Sequence, residues 1–170
     1  YAEKLRFHGA TPKGVDWNDE ASQYARFEQL AKLLEGFSEE RVSVFDLGCG
    51  YGEFLRYLRS INVQSCQLAF EGVDLSGDMI SAAQDIWQKD PHACFTIGHQ
   101  PKAQADFGFA SGIFNVRLGM DPDHWWQHIL DTLGRMDENS TRGFAFNCLT
   151  AYSDEDRKVD KLYYADPTAL

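Results

Sequence analysis

The stretch that most limits the fold is VFDLGCGYGEF, residues 44–54. An apolar run reaches an acid, breaks into glycines at positions 48, 50 and 52, and gives way to the helical pattern EFLRYLRSI. A strand that turns through glycine straight into a helix is the opening of a β-α-β unit. The same rhythm continues downstream. Predicted strands fall on RVSVFDL, CQLAFEGVDL, ACFTIG, ADFGFASGIF and RGFAFNCLT, and predicted helices on GDMISAAQDIWQK and DHWWQHILDTLGRM. Strands separated by helix-length segments pair in parallel through right-handed crossovers. The expected fold is therefore α/β, an open and mostly parallel sheet with helices on both faces.

Upstream, EASQYARFEQLAKLLEGF places Tyr24, Phe27, Leu30, Leu33 and Leu34 on one helical face, with Gly36 as a stop and Asn18 or Asp19 as a cap. Residues 1–18 read as an irregular arm, and residues 151–170 as a polar and aromatic tail without a strong strand. A chain of 170 residues with 44% hydrophobic content suits a single domain spanning residues 1–170. Its formal net charge of −10 repels a phosphate backbone, which disfavours nucleic acid as a partner. Apolar stretches such as Phe107 to Phe114 are too short to span a bilayer, and no basic segment precedes a hydrophobic one at the start. The expectation is a soluble, cytoplasmic chain of unspecified oligomeric state. Cys49, Cys66, Cys94 and Cys148 lie far apart with no C-x-x-C pair, so reduced thiols are expected rather than a zinc site or disulfide framework.

In open α/β sheets ligands sit beyond the carboxyl ends of the strands, where this glycine loop falls. A dinucleotide would call for G-x-G-x-x-G, yet Glu53 stands where the third glycine belongs. Asp46 and Glu53 also flank the place where a pyrophosphate needs positive field. The same field suits a ligand with a cationic end. Asp74, roughly 20 residues beyond the loop at the end of the second strand, is placed to accept hydrogen bonds from a ribose. Together these features describe a nucleoside without phosphates and with a cationic tail, which is S-adenosylmethionine.

VFDLGCGYGEF followed by FEGVDLSGDMISAAQ resembles the opening of a class I S-adenosylmethionine-dependent methyltransferase, whose first-strand motif is D/E-x-G-x-G-x-G and whose second strand ends in an acid. The similarity extends through ADFGFASGIFNV and GFAFNCLT, covering about residues 20–150. HGATPKGVDWN, SGIFNVRLG and LYYADP further resemble a bacterial group of that class. The resemblance implies a Rossmann-like sheet and a methyl transfer to a small-molecule acceptor. It implies that Asp46, Gly48, Cys49, Gly50 and Gly52 surround the methionine portion of the cofactor and that Asp74 holds the ribose hydroxyls. Leu75 and Met79 would lie against adenine, although taken alone they read as core residues. After the third strand the class often has Gly-Asp, whereas this chain has Gly98 followed by His99 and Gln100, which would take that side of the adenine. Ser111, Gly112 and Phe114 would line the methyl-bearing end. The class normally closes its sheet with an antiparallel hairpin after the fifth strand, and none is visible after Thr150, so that hairpin is expected to be missing.

Other candidates have a second reading beside the functional one. Trp17 folds over the adenosine as a lid or staples the arm to the core. Arg26 meets the cofactor carboxylate or, the simpler reading, is a solvated helix-face arginine. Asn115 and Asn147 follow the fourth and fifth strands and could orient the acceptor, or satisfy turn backbone groups. His99 has a side chain suited to general base catalysis. His124 and His128 share the four-residue spacing of paired metal ligands, but no third ligand follows with supporting spacing, so no metal is expected. The competing enzyme reading is a nicotinamide-dependent oxidoreductase, and the competing reading outside enzymes is a non-catalytic S-adenosylmethionine-binding protein.

Overall fold

The structure, a computed structural model, describes residues 20–37, 39–61, 67–117 and 119–170. The arm, Trp17, the two candidate caps Asn18 and Asp19, and Cys66 lie outside the described residues. The described chain opens with α1 (Glu20–Ala31), which buries Gln23, Phe27, Leu30 and Ala31 on one face. It tightens into a 3-10 turn at Lys32–Leu34 and stops at Gly36, where φ is +78°. The helix predicted over residues 20–37 is thus α-helical only to Ala31.

Next come β1 (Arg41–Leu47), α2 (Glu53–Ser60), β2 (Gln67–Asp74), α3 (Gly77–Trp87), β3 (Ala93–Ile97), β4 (Ala105–Ala110), α4 (Pro122–Asn139) and β5 (Ser140–Phe146). The sheet has the order β3-β2-β1-β4-β5, and every pairing in it is parallel. Helices cover both faces. Val42, Val44, Leu68, Phe70, Phe107 and Phe109 pack with Phe27 and Leu30 of α1, Phe54, Leu55 and Leu58 of α2, and Ile80 and Ala83 of α3. On the opposite side Phe45, Leu47, Val73 and Ala110 pack with Met136 of α4. Alternate residues of β1 therefore enter two separate cores, as a strand buried on both faces requires. Among the described residues no helix is long and apolar enough to cross a membrane.

Local chemistry sets the helix starts nearest the carboxyl edge. Ser76 Oγ accepts a hydrogen bond from Met79 N to cap α3, and Asp121 accepts from the backbone N–H groups of Asp123 and His124 to cap α4, with Pro122 first in the helix. α2 begins from Gly52 in the left-handed region at φ +88°, without a side-chain cap.

Two predicted strands have different ends. ADFGFASGIF was expected to be extended through Phe114, but β4 stops at Ala110. Its last apolar residues belong to a loop in which Gly112 has φ +81°. Phe114 is fully buried there because it wedges against Trp125 and Ile129 of α4, not because it joins the sheet. The Trp125 indole N–H donates to Phe114 O at 3.1 Å and pins that loop down. RGFAFNCLT likewise divides: β5 starts earlier, at Ser140, and ends at Phe146. Leu149–Thr150 forms a short strand, β6, which pairs in parallel with β7 (Tyr164–Ala165). The tail thus carries a strand that its polarity conceals, and an antiparallel bridge from Val116 to Leu162 ties it to the loop after β4. Among the described residues no antiparallel hairpin extends the five-stranded sheet beyond β5.

Candidate functional site

The strand order reverses direction between β1 and β4, and the crevice of an open α/β sheet forms at that point. The loop after β1 fills one side of it. Gly48 N and Cys49 N both donate to Val73 O of β2, at 2.7 and 3.1 Å, and Gly52 N donates to Cys49 O at 3.0 Å, closing a tight turn. Gly48, Gly50 and Gly52 have φ of +76°, +54° and +88°, a region that L side chains adopt only with strain. A Cβ on Gly48 would come within 2.1 Å of the Ile113 side chain, so the loops after β1 and β4 touch at this glycine.

A cleft runs beside the loop, lined by Asp46, Gly48, Cys49, Gly50, Tyr51, Glu53 and Phe54, by Gln23 and Phe27 of α1, and by Ser111 from the loop after β4. Asp46 is 2% exposed. It alternates with Val44 along β1 and so faces the same side of the sheet as α1. Burial pushes its carboxyl well above the usual carboxylate range, and the Asp74 charge raises it further. Burial and the same two acids also push the Cys49 thiol up, which leaves it a packing group. The other acids of the site have partners. Glu53 accepts from the Tyr24 hydroxyl at 3.0 Å and from Arg56 Nε at 3.1 Å. Asp74 accepts from Gly50 N at 2.9 Å and from Ser76 N at 2.8 Å. Asp46 Oδ1 and Gln23 Oε1, by contrast, are buried without a donor among the described residues.

Beyond Asp74, Leu75 is 78% exposed, and Ile97, in register with Asp74 on β3, is 66% exposed. Two large apolar side chains in solvent at adjacent strand ends make a platform for a flat apolar ring. His99 and Gln100 are exposed in the bends that follow β3. Three strand spacings, about 14 Å, separate the end of β3 from that of β4.

On the β4 side, Asn147 Oδ1 accepts from Gly112 N at 2.7 Å and its Nδ2 donates to Ser111 Oγ at 3.3 Å. Its amide holds the turn that brings Ser111 to the cleft. Asn115 gives its backbone carbonyl to Tyr163 N at 2.8 Å, while its Oδ1 is buried without a donor among the described residues.

The structure therefore brings Asp46, Gly48, Cys49, Gly50 and Ser111 to one cleft, with Gly52 closing its turn, Gly112 behind Ser111, and Asp74 and Leu75 beside it. It puts Met79 and Phe114 inside the packed core, 2% and 0% exposed. Arg26 donates to Ser22 O along its own helix. His124 is exposed and His128 packs against Trp125; among the described residues no group of three or more His, Cys, Asp or Glu could hold a metal ion. Sequence reasoning missed Gln23 and Ile97. Gln23 stands four residues before Phe27 and seven before Leu30, a polar residue on an apolar helix face, and that interruption was the available signal.

No family model matches the chain. A Mycobacterium tuberculosis protein named "Putative methyltransferase Rv1506c" is 44% identical over 128 residues, which span 75% of this chain and 75% of that protein. Among solved structures, a DhpI-SAH complex matches 98% of this chain and 78% of its own with a TM-score of 0.57 at 16% identity. A chain of the solved "Complex between the Haloferax volcanii Trm112 methyltransferase activator and the putative methyltransferase" matches 88% of this chain and 67% of its own, with a TM-score of 0.54 at 20% identity. At such identities the two structures speak for the fold alone.

Proposed function

The chain belongs to the class I S-adenosylmethionine-dependent methyltransferases, and from that premise we propose that it transfers the cofactor's methyl group to a small-molecule acceptor bound on the β4 side of the crevice. The observation that carries the reading is the junction of the glycine loop with Asp74 through the Gly50 N–H, beside a cleft whose acid Asp46 has an oxygen without a donor among the described residues. A cleft of this kind fits a nucleoside with a cationic end and disfavours a phosphate.

When bound, S-adenosylmethionine supplies a methyl carbon on a sulfonium, open to in-line attack by an acceptor lone pair, with the electrons of the broken C–S bond returning to sulfur. The protein's part is alignment and exclusion of water. In this reading Asp74 accepts hydrogen bonds from the ribose hydroxyls through lone pairs that Gly50 and Ser76 leave free. Leu75 and Ile97 flank the adenine, with His99 and Gln100 at its far side. The glycine loop and Asp46 hold the amino-acid end. Ser111, positioned by Asn147, and the donorless oxygen of Asn115 face the methyl end, where Asn115 orients the acceptor's N–H or O–H. The net charge of −10 supports a small acceptor over nucleic acid.

Calorimetric titration with S-adenosylmethionine, S-adenosylhomocysteine and NAD in parallel tests the proposal. Binding of the first two without the third is the expected result, followed by acceptor-dependent release of S-adenosylhomocysteine. Binding of NAD alone would overturn it.

A further inference from the structure

Trp87 closes α3, 36 residues beyond Tyr51, and its side chain turns back to the glycine loop. The indole Nε1–H donates to Tyr51 O at 3.3 Å. The same nitrogen lies 2.5 Å from where a Cβ on Gly52 would stand, and the Phe95 ring lies 3.0 Å from it, so the end of the loop rests directly on these two rings. Trp87 is half-buried and packs against the core that α2 and α3 share. Its ring carries the Arg56 guanidinium at 5.5 Å, and Arg56 Nε donates to Glu53, which also accepts from the Tyr24 hydroxyl. One connected layer of side chains thus joins α3, α2 and α1 where the loop enters α2.

Glycine loses more conformational freedom on ordering than any other residue, and three stand among residues 48–52. Such a loop receives a ligand tightly only if other groups hold its shape beforehand. For the first half that support is β2: Val73 O accepts from Gly48 N and Cys49 N, and Asp74 accepts from Gly50 N. For the second half the Tyr51 carbonyl is held by Trp87. Trp87 does not itself line the cleft, so its effect on a ligand passes through the loop.

We propose that Trp87 is a positioning residue of the cofactor site: its indole N–H, acting through the Tyr51 carbonyl, holds the second half of the glycine loop in the form that receives the amino-acid end of S-adenosylmethionine. The inference rests on the S-adenosylmethionine reading above and adds to it a residue remote from the ligand. It also gives Gly52 a second reason to be glycine, since the indole occupies the space a side chain there would need.

The test is calorimetry on the full chain with S-adenosylhomocysteine and with 5′-methylthioadenosine, which lacks the amino-acid end, at about pH 8, where an imidazole is neutral. Trp87→Phe keeps an apolar ring and removes the donor. Trp87→His keeps a donor, because its Nε2 stands as many bonds from Cα as the indole nitrogen does. Trp87→Phe is expected to weaken S-adenosylhomocysteine about three- to tenfold, the range that one net hydrogen bond covers, and to leave 5′-methylthioadenosine within about twofold. Trp87→His is expected to bind S-adenosylhomocysteine more tightly than Trp87→Phe does. Packing alone ranks the two variants the other way, since phenyl fills more of the apolar site than imidazole. Circular dichroism establishes folding. If Trp87→Phe does not fold, exchange of the Trp87 indole proton in the 15N-labelled native chain decides in its place: slowing by S-adenosylhomocysteine but not by 5′-methylthioadenosine is expected, and no slowing by either overturns the proposal. A native chain that binds neither probe overturns the cofactor reading and the role of Trp87 with it. A native chain that binds both, but whose Trp87→Phe variant keeps full affinity or loses both probes equally, or whose Trp87→His variant binds no better than Trp87→Phe, overturns the role of Trp87 alone.

Discussion

The backbone N–H of Gly50 donates a 2.9 Å hydrogen bond to the Asp74 carboxylate, joining the glycine loop after β1 to the end of β2. The other carboxylate oxygen accepts from Ser76 N at 2.8 Å, so one side chain shapes both the glycine loop and the entry into α3. The acid assigned to the ribose is thus also the clasp that gives the loop its form.

Asp74→Ala is expected to act on both levels. Hydrogen bonds to a charged acceptor contribute about 1.5–3 kcal/mol each when buried, and Asp74 is only partly buried, so a loss of about 1–3 kcal/mol is expected in urea denaturation. Affinity for S-adenosylhomocysteine is expected to fall at least tenfold by calorimetry. Unchanged affinity in the folded variant would count against the ribose assignment.

Gly48→Ala introduces two separate faults, a residue with Cβ at φ +76° and a contact of 2.1 Å to the Ile113 side chain. Left-handed backbone costs about 1–2 kcal/mol and overpacking about 1–3 kcal/mol, so a total loss of about 2–5 kcal/mol is expected. Adding Ile113→Ala should recover the steric part and leave the backbone part. A double variant no more stable than the single one would place the fault in the backbone alone.

Asp46 should make the ligand-free protein less stable as pH rises. Its folded carboxyl is held above the unfolded value, so the contribution is fully present below about pH 4, where both states bind the proton, and is lost as pH climbs through the raised folded value. Asp46→Asn mimics the protonated form. It is expected to unfold at higher urea than the native chain near pH 7, with the difference vanishing toward pH 4, while binding the cofactor more weakly. A difference that does not change with pH would contradict the shifted carboxyl.

Asn147→Ala removes the acceptor for Gly112 N and the donor to Ser111 Oγ. A destabilisation of about 1–2 kcal/mol is expected. Asn147→Asp keeps the oxygen that Gly112 uses and should recover part of it. Affinity for S-adenosylhomocysteine is expected to stay within about threefold in both, since Asn147 acts on the turn after β4 and not on the loop after β1. A larger loss would make Asn147 part of the cofactor site.

Much of this architecture could be read before any coordinates. The five strands of the parallel sheet, the turn through Gly48, Gly50 and Gly52, and Asp74 at the end of β2 all announce themselves in contiguous residues. The failures have a common cause. Phe114 reads as the end of a strand because it is apolar, and it is buried, but by Trp125 of α4. Leu149 and Thr150 read as a continuation of β5, whereas their partners are Tyr164 and Ala165 in a tail whose polarity hides a strand. Ile97 reads as one more strand residue, and its exposure follows from β3 lying at the sheet edge.

The sequence by itself determined the alternation of strand and helix, the loop that only glycine can turn, and the acid that follows it, because periodicity and left-handed backbone are demands that neighbouring residues make on one another. Only the tertiary structure decided which polar atoms were left wanting. Whether Gln23 Oε1 and Asp46 Oδ1 find donors depends on how α1 lies across the end of β1. That placement is set by packing between segments far apart in the chain, Phe27 and Leu30 against Val44 and Phe54, and no local pattern encodes it.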